Sequence, residues 1–384
     1  MALIDGEHAP DVVREALVDL PYEWVGAILV GGTEKLREGE SYGVPLLQDF
    51  SDAEVVVDLS DEPVLGPAAR FGWASRALAA GLPYIGADFR FDAPRYEQIE
   101  VPSVAVIGTG KRVGKTAVTA HLARLLASER DVAVVTMGRG GPSEPELLDS
   151  PPTLDDLIAL SRSGRHAASD HFEIAVVGGV PTIGCRRAGG GLAGQPFVSN
   201  VSEGARCAVE RQPDLVVFDG SGSAIPSIAA NRRVLVTGPG HDLDAYFNPY
   251  RRKVSDLVIA VGCEADGAVS VTLRLRPLAA LEGRVAVFVA GPADVSHLEA
   301  DVVHVSQSLG DRDRLRRELE SLDADTYLTE LKGAAIDLVA EHALRLGRRV
   351  VLAGNDVVAP GLDEMLRALA SEAVADHAPR GVLS

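Results

Sequence analysis

Apolar residues along this chain come in short, nearly continuous runs that end in glycine-rich turns, with charged or amphipathic stretches between them. Such runs predict strands buried on both faces of a parallel sheet, with helices packed against it. In the first hundred residues, 2–4, 25–30 and 55–59 predict strands. Residues 10–20 predict a helix opened by Pro10, and 70–80 a helix closed by Gly81. The polar, proline-flanked stretch 92–102 reads as a linker. From 103 to about 276 the strand candidates are 104–107, 132–136, 174–177, 215–218, 234–236 and 257–261. Beyond 277, residues 285–289, 302–305 and 349–353 predict strands, 311–322 and 334–346 helices, and the tail after Leu366 a helix that frays.

Most of the central strand candidates run into polar, glycine-rich turns: Met137-Gly-Arg-Gly-Gly-Pro142, Gly178-Gly-Val-Pro-Thr182, Asp219-Gly-Ser-Gly-Ser223 and Thr237-Gly-Pro-Gly-His-Asp242. In open α/β sheets ligands sit beyond the carboxyl ends of the strands, so these turns are expected to gather on one rim. The first strand of the set carries the most specific of them, Val104-Ala-Val-Ile-Gly-Thr-Gly-Lys-Arg-Val-Gly-Lys-Thr116. A loop of this kind turns backbone N–H groups toward phosphate oxygens, while its lysine reaches the terminal phosphates and its threonine hydroxyl can hold Mg²⁺. The expected nucleotide-binding residues are therefore Gly108, Thr109, Gly110, Lys111, Arg112, Val113, Gly114, Lys115 and Thr116, with a helix from 117 to 127 lending the charge of its N-terminus. The spacing departs from the common pattern, which has glycine where Thr109 stands. This form resembles the variant loop of dethiobiotin synthetase and its relatives, a branch rich in enzymes that phosphorylate small acidic substrates.

The fold class expected is α/β: a doubly wound, mainly parallel P-loop core over 99–276, flanked by smaller α/β modules over 1–98 and 277–384. Composition narrows the setting. Among 384 residues the net charge is −18, which argues against a nucleic-acid partner and for a local basic pocket if the substrate is a polyanion. No apolar run reaches bilayer length, the first residues lack a basic-then-apolar leader, and the three cysteines have no metal-like spacing. A cytoplasmic protein, without a membrane and assembling as a homodimer, is expected. Only five of the 37 basic residues are lysines, and two of those, Lys111 and Lys115, fall in the phosphate loop. A chain that uses arginine nearly everywhere should keep lysine where a compact ammonium is required, which also marks Lys35 and Lys332; chance survival on the surface is the alternative.

Asp219 ends a strand and opens Asp-Gly-Ser-Gly222, the place for the carboxylate that joins Thr116 in holding Mg²⁺; an Asx-turn role is the plainer alternative. Arg139, Arg186 and Arg187 lie among glycines and are expected, with Lys111 and Lys115, to neutralise phosphates as the catalytic cations. Solvated loop arginines are the competing reading. His166, Asp170 and His171 stand at helical spacing, fit for acid–base work or for ordinary packing. Asp5, Glu7, His8, Thr33, Glu34 and Lys35 form a further set on loops after strands.

Taken in order, Ile4-Asp-Gly-Glu-His8, Gly31-Gly-Thr-Glu-Lys35, the phosphate loop, Met137-Gly-Arg-Gly-Gly-Pro142, His166-Ala-Ala-Ser-Asp170, Gly184-Cys-Arg-Arg187, Asp219-Gly-Ser-Gly222 and Glu330-Leu-Lys332 resemble the archaeal cyclic 2,3-diphosphoglycerate synthetase family over nearly the whole chain. The resemblance implies an ATP- and Mg²⁺-dependent ligase that closes 2,3-bisphosphoglycerate, or a closely related phosphorylated acid, into an intramolecular phosphoanhydride with release of ADP and phosphate. Two other classes fit the loop alone: a GTPase switch or metallochaperone of the same branch, and a non-catalytic nucleotide-binding regulator. The first lacks the Asn/Thr-Lys-x-Asp guanine reader; the second sits poorly with a complete set of loop, carboxylate and arginines.

Overall fold

The computed structural model describes residues 1–377 apart from 33, 34 and 63, and it divides into two compact units. The first unit comprises Met1–Arg95 with Leu192–Gly194 and Asp242–Val254. Its sheet has the order β2-β1-β3-β4-β5, with β1 at Ala2–Asp5, β2 at Ala27–Val30, β3 at Val56–Asp58, β4 at Tyr84–Ile85 and β5 at Arg90–Phe91. All neighbours are parallel except the β4–β5 pair. Helix α1 (Pro10–Asp19) starts on a proline, which needs no N–H there, and buries Val13 and Leu17 against Ala2, Ile4 and Tyr42. Helix α2 (Pro67–Ala79) brings Phe71 to Phe91 and to Phe247, which precedes the short α7 (Asn248–Lys253).

The second unit holds the rest of the described chain. Its strands are β6 (Ser103–Gly108), β7 (Val132–Gly138), β8 (Glu146–Leu148), β9 (Thr182–Ala188), β10 (Val198–Ser199), β11 (Leu215–Asp219), β12 (Arg232–Thr237) and β13 (Leu257–Val261), then β14 (Val269–Pro277), β15 (Arg284–Phe288), β16 (Asp301–Ser306), β17 (Thr326–Glu330) and β18 (Arg349–Val358). They form one sheet of order β10-β9-β7-β11-β6-β12-β13-β14-β18-β17-β15-β16, with β8 added beside β9. From β9 to β14 every pairing is parallel. The C-terminal strands β18, β17, β15 and β16 are again parallel to one another, and an antiparallel ladder from Thr272–Val358 to Pro277–Ala353 joins the two halves. The sheet is mixed but mainly parallel, as the apolar runs require.

Helices α3 (Lys115–Leu126), α4 (Leu154–Arg162), α5 (Asp170–Gly178), α6 (Val201–Glu210), α8 (Arg312–Glu320), α9 (Glu341–Arg345) and α10 (Leu362–His377) complete this unit, together with a wide π-type turn at Ala335–Ala340. Valines 104, 106, 217, 234 and 236 pack on one side with Ala117, Val118 and Leu122 of α3 and Leu362, Leu366 and Ala370 of α10. Along β9 the alternation is visible in the contacts: a Cβ on Gly184 would meet the His171 ring of α5, whereas Ile183 and Cys185 face Gly204 of α6. Among the described residues no helix is long and apolar enough to cross a membrane.

Three expectations fail here, for physical reasons. The apolar run 174–177 is not a strand but the middle of α5, which ends on Gly179 at φ +68°. A short apolar run fits a buried helix as well as a strand, and periodicity alone does not separate them. The true strand is β9, which the two arginines and flanking glycines disguise as a loop. Gly178–Thr182 therefore leads into a strand instead of leaving one, and lies at the end of the sheet opposite the phosphate loop. Strands β14 and β17, and the second half of β18, alternate in exposure or carry polar residues, so no continuous run announces them.

The packing of α6 on β9 makes a sharp test. Alanine ordinarily stabilises a helix over glycine by about 1 kcal/mol, but at Gly204 a methyl would overlap Cys185 Sγ and lie 3.2 Å from Val135 Cγ1. Gly204→Ala is expected to lower unfolding free energy by about 1–3 kcal/mol in urea titration, and Cys185→Ala in the same chain to recover most of that loss.

Candidate active site

The site lies where β6, β7, β9, β11 and β12 end side by side, in the register Val236–Gly108, Asp219–Val106, Asp219–Thr136 and Gly138–Arg186. Between β6 and α3 the loop uses two left-handed residues, Arg112 at φ +60° and Gly114 at φ +92°. A non-glycine residue there is strained by about 1–2 kcal/mol, which the loop's anchors offset. Thr109 supplies one anchor: its N–H donates to the Val236 carbonyl at 3.0 Å and its hydroxyl to Thr237 Oγ1 at 3.2 Å. This accounts for the unusual spacing. The threonine ties the loop to β12, and the glycines stand where backbone must be approached: a Cβ on Gly110 would strike the His241 ring, and one on Gly108 would meet Lys115 Cδ at 2.7 Å and the Gly222 carbonyl at 3.0 Å.

Lys115 is buried, 9% exposed, with its stem against Gly108. Burial pushes its pKa down, the carboxylates of Asp219 and Asp170 pull it back up, and Arg139 and Arg187 push it down again. Asp219, 2% exposed, accepts from Thr119 Oγ1 at 2.9 Å. Burial pushes its pKa up to about 7 in spite of Lys115, and Asp170 adds to the rise. Arg187 donates to the Ser221 carbonyl at 2.8 Å and to the Gly189 carbonyl at 3.0 Å. A Cβ on Gly222, whose φ is +62°, would lie 2.8 Å from Arg139 Nη2 and 3.4 Å from Arg187 Nη2, so the two guanidinium groups converge on the Asp219 loop.

The structure thus brings Lys115, Asp219, Arg139 and Arg187 together. Arg186, the neighbour of Arg187 on β9, points to the other face of the strand and is exposed; its N–H is held by Asn200 Oδ1 at 2.7 Å. Lys111 and Arg112 are exposed on the loop, Val113 is buried against Gly238, and Thr116 is half-buried in the first turn of α3. Asp170, His241 and Thr119 belong to the site more firmly than their sequence neighbourhood suggested. The signal for Asp170 was its place just after Ser169 at a helix start, which the misread strand hid. His166 is exposed, whereas His171 is buried against Gly184 and Phe172, with Ser169 Oγ 3.2 Å from Nδ1 and Glu146 Oε2 3.4 Å from Nε2; burial lowers its pKa against the pull of Glu146. In the first unit, Asp5 binds the N–H groups of Glu7, His8 and Asp61 and the His8 ring, and Lys35 N–H donates to the Gly6 carbonyl. Thr33 and Glu34 lie outside the described residues.

With this geometry in place, the likeness to known proteins is decisive. Models of the cyclic 2,3-diphosphoglycerate synthetase family match residues 1–92 as its N-terminal domain, 103–274 as its P-loop domain and 286–356 as its C-terminal domain. The chain belongs to that family. It is 44% identical to a protein named cyclic 2,3-diphosphoglycerate synthetase from Rubrobacter xylanophilus, over 97% of both chains. It is 37% identical to one of the same name from Pyrococcus abyssi, over 93% of this chain and 94% of that one, and 36% identical to one from Methanothermobacter thermautotrophicus, over 98% and 97%. A looser likeness, TM-score 0.45 at 13% identity, links 73% of this chain to 90% of LpxK from Aquifex aeolicus in complex with ATP.

In this family member the buried carboxylate sets the sign of a pH effect. Asp219 holds its proton in the folded protein up to about pH 7, whereas an unfolded aspartate releases it near 4, so its contribution is complete at acid pH and lost as pH rises through 7. Three pH units amount to about 4 kcal/mol. Urea unfolding of the ligand-free protein should show Asp219→Asn gaining stability relative to the parent between pH 5 and pH 8 by about 2–3 kcal/mol, the share of that amount that falls above pH 5.

Proposed function

We propose that this chain is an ATP-dependent ligase that closes 2,3-bisphosphoglycerate into its cyclic phosphoanhydride. The observation that carries the reading is the full-length match to three family domains and to proteins of that name, with the cations of the P-loop rim as its physical counterpart. ATP docks on the amides from Gly108 to Thr116, and the Lys115 ammonium reaches its terminal phosphates. Lys111 joins Lys115 in stabilising charge on the transferred phosphoryl, and of the three arginines expected to hold the substrate phosphates, Arg139 and Arg187 converge on the Asp219 loop whereas Arg186 is exposed on the other face of β9.

The reaction then balances in two displacements. The γ-phosphoryl group passes to one substrate phosphate, breaking its bond to ADP and making a linear anhydride. An oxygen of the second substrate phosphate attacks the inner phosphorus, the anhydride bond breaks, and phosphate leaves. Two phosphates on neighbouring carbons repel one another, and paired guanidinium groups lower that barrier while fixing the approach. No side chain need act as a nucleophile.

Magnesium fits the residues. Among the described residues no cluster of three or more His, Cys, Asp and Glu stands ready for a metal, but the Thr116 hydroxyl and the Asp219 carboxylate are hard oxygen donors of the kind Mg²⁺ takes alongside phosphates and water. A cation beside Asp219 also relieves the cost of ionising it in a buried place. When bound, Mg²⁺ neutralises charge on the β- and γ-phosphate oxygens. A cytoplasmic setting accords with three cysteines that remain free thiols.

Phosphorus NMR of ATP, Mg²⁺ and 2,3-bisphosphoglycerate with the protein should show ADP, phosphate and a cyclic anhydride formed in equal amounts; ATP loss without the cyclic product would refute the assignment. Lys115→Ala should keep its fold by circular dichroism and lose at least ~100-fold in kcat. Single turnover with labelled γ-phosphate should leave no label on the protein.

A further inference from the structure

The C-terminal half of the large unit sends one ammonium group to the helix that carries Asp170. β17 ends on Glu330, and two residues later Lys332 Nζ lies 3.3 Å from Glu173 Oε1 and 3.5 Å from Glu330 Oε1. Glu330 has further support, from Asn355 Nδ2 at 2.6 Å and from the Ala290 N–H at 2.6 Å. The Glu173 side chain is 11% exposed. It stands one helical turn after Asp170, so both carboxylates share a face of α5. Asp170 in turn packs close to the turn after β7, its Oδ2 3.4 Å from where a Cβ on Gly138 would sit, within electrostatic reach of Lys115 and Asp219.

We infer that Lys332 is a positioning residue for the P-loop site: its charge holds Glu173, fixes the first turn of α5 and so sets Asp170 beside Lys115 and Asp219. Two observations favour charge over mere packing. A compact ammonium can be shared between two carboxylate oxygens where a planar fork would have to choose, and this chain retains lysine at few positions. The groups that face Glu173 are Lys332 and Glu330 from the C-terminal half and Asp170 from its own helix, so Lys332 is the cation in an otherwise acidic cluster. Burial already pushes Glu173 up to about 7, and the two neighbouring carboxylates push the same way while Lys332 opposes them. Without Lys332 the pKa of Glu173 rises further, and at the alkaline pH where it still ionises the unpaired carboxylate repels Asp170 at short range and loosens the turn that carries it.

The inference rests on the nucleotide reading of the site but not on cyclisation, so it is tested by MgATP affinity. Calorimetry at pH 6 and pH 8.5 would compare the parent with Lys332→Met, Glu173→Gln and the double variant. Lys332→Met should lose ~10-fold in affinity at pH 8.5 and under ~3-fold at pH 6, where Glu173 takes a proton, and adding Glu173→Gln should return most of the loss. A loss equal at both pH values, no loss, or a double variant as weak as Lys332→Met at pH 8.5 would overturn it. If Lys332→Met does not fold, Glu173→Gln and the double variant decide: removing Lys332 should cost under ~3-fold once its partner is neutral, and a larger loss overturns the inference. Failure of the cyclase assay would leave these affinities readable.

Discussion

A lysine ammonium withdrawn from water beneath the phosphate loop is the constraint around which the rest of this structure is arranged. Burial alone would drive Lys115 toward its neutral form, which is of little use for holding phosphates. The carboxylates of Asp219 and Asp170 counter that tendency, yet Asp219 is itself buried and responds by holding its proton more tightly. Neither side is fully satisfied in the protein alone. On the proposed function a triphosphate with its cation would supply charges of both signs, so the site is built for a ligand and is less stable than an apolar rim would be. The glycines at 108 and 222 follow from the same constraint, because the lysine stem and the guanidinium groups occupy the space that side chains would take.

How much of this could be read from the chain depended on which residues signalled by kind and which by neighbourhood. Lys115, Thr116 and Asp219 were legible because a strand, a glycine loop and a helix start leave few other uses for them at that spacing. Arg139 and Arg187 were legible as cations, but only strand alternation separates Arg187 from Arg186, and that alternation could not be applied while 184–187 passed for a loop. Asp170 was obscured by the same error, since the apolar run 174–177 assigned to a strand denied it a helix N-terminus. Strand β14 was missed because it alternates in exposure and pairs antiparallel with β18, and β17, though parallel to both neighbours and wholly buried, because Thr326, Thr329 and Glu330 break up its apolar run. In the first unit three strands and both helices were legible, whereas the two-residue strands β4 and β5 are too short to leave a pattern, and nothing in the chain marks Leu192–Gly194 and Asp242–Val254 as belonging there.

The antiparallel ladder between β14 and β18 gives the C-terminal strands a mechanical share in the site. β18 is long enough to pair with β17 through its first half and with β14 through its second. That second half meets the P-loop helix: Asp356 accepts from Arg124 at 2.6 Å and from Arg276 at 3.0 Å, and His121 accepts from the Val357 N–H at 3.3 Å while its Nε2 donates to Asp363 at 2.8 Å. Helix α3 is therefore gripped at its loop end by β6 and β12 and along its flank by β18 and α10. A helix whose N-terminus must present amides to phosphate within a fraction of an ångström benefits from both grips.

This arrangement bears on why the family keeps a C-terminal domain that contributes none of the loop, carboxylate or arginine groups on the rim. Partly exposed ion pairs such as Arg124–Asp356 are individually worth little, and a domain retained for such pairs alone would be a weak explanation. Their value lies in being tied to a ladder of six backbone pairs, which converts a soft contact into a fixed distance between α3 and the C-terminal half of the same sheet. The same strand, β18, carries Asn355, which orients Glu330, and through Lys332 the fixed distance extends to α5. Both helices that border the buried lysine, one bearing it and the other bearing its second carboxylate, are thus referenced to one strand. On this argument the C-terminal domain acts as a template for the charges around Lys115, and its contribution is to hold like charges closer together than they would settle by themselves.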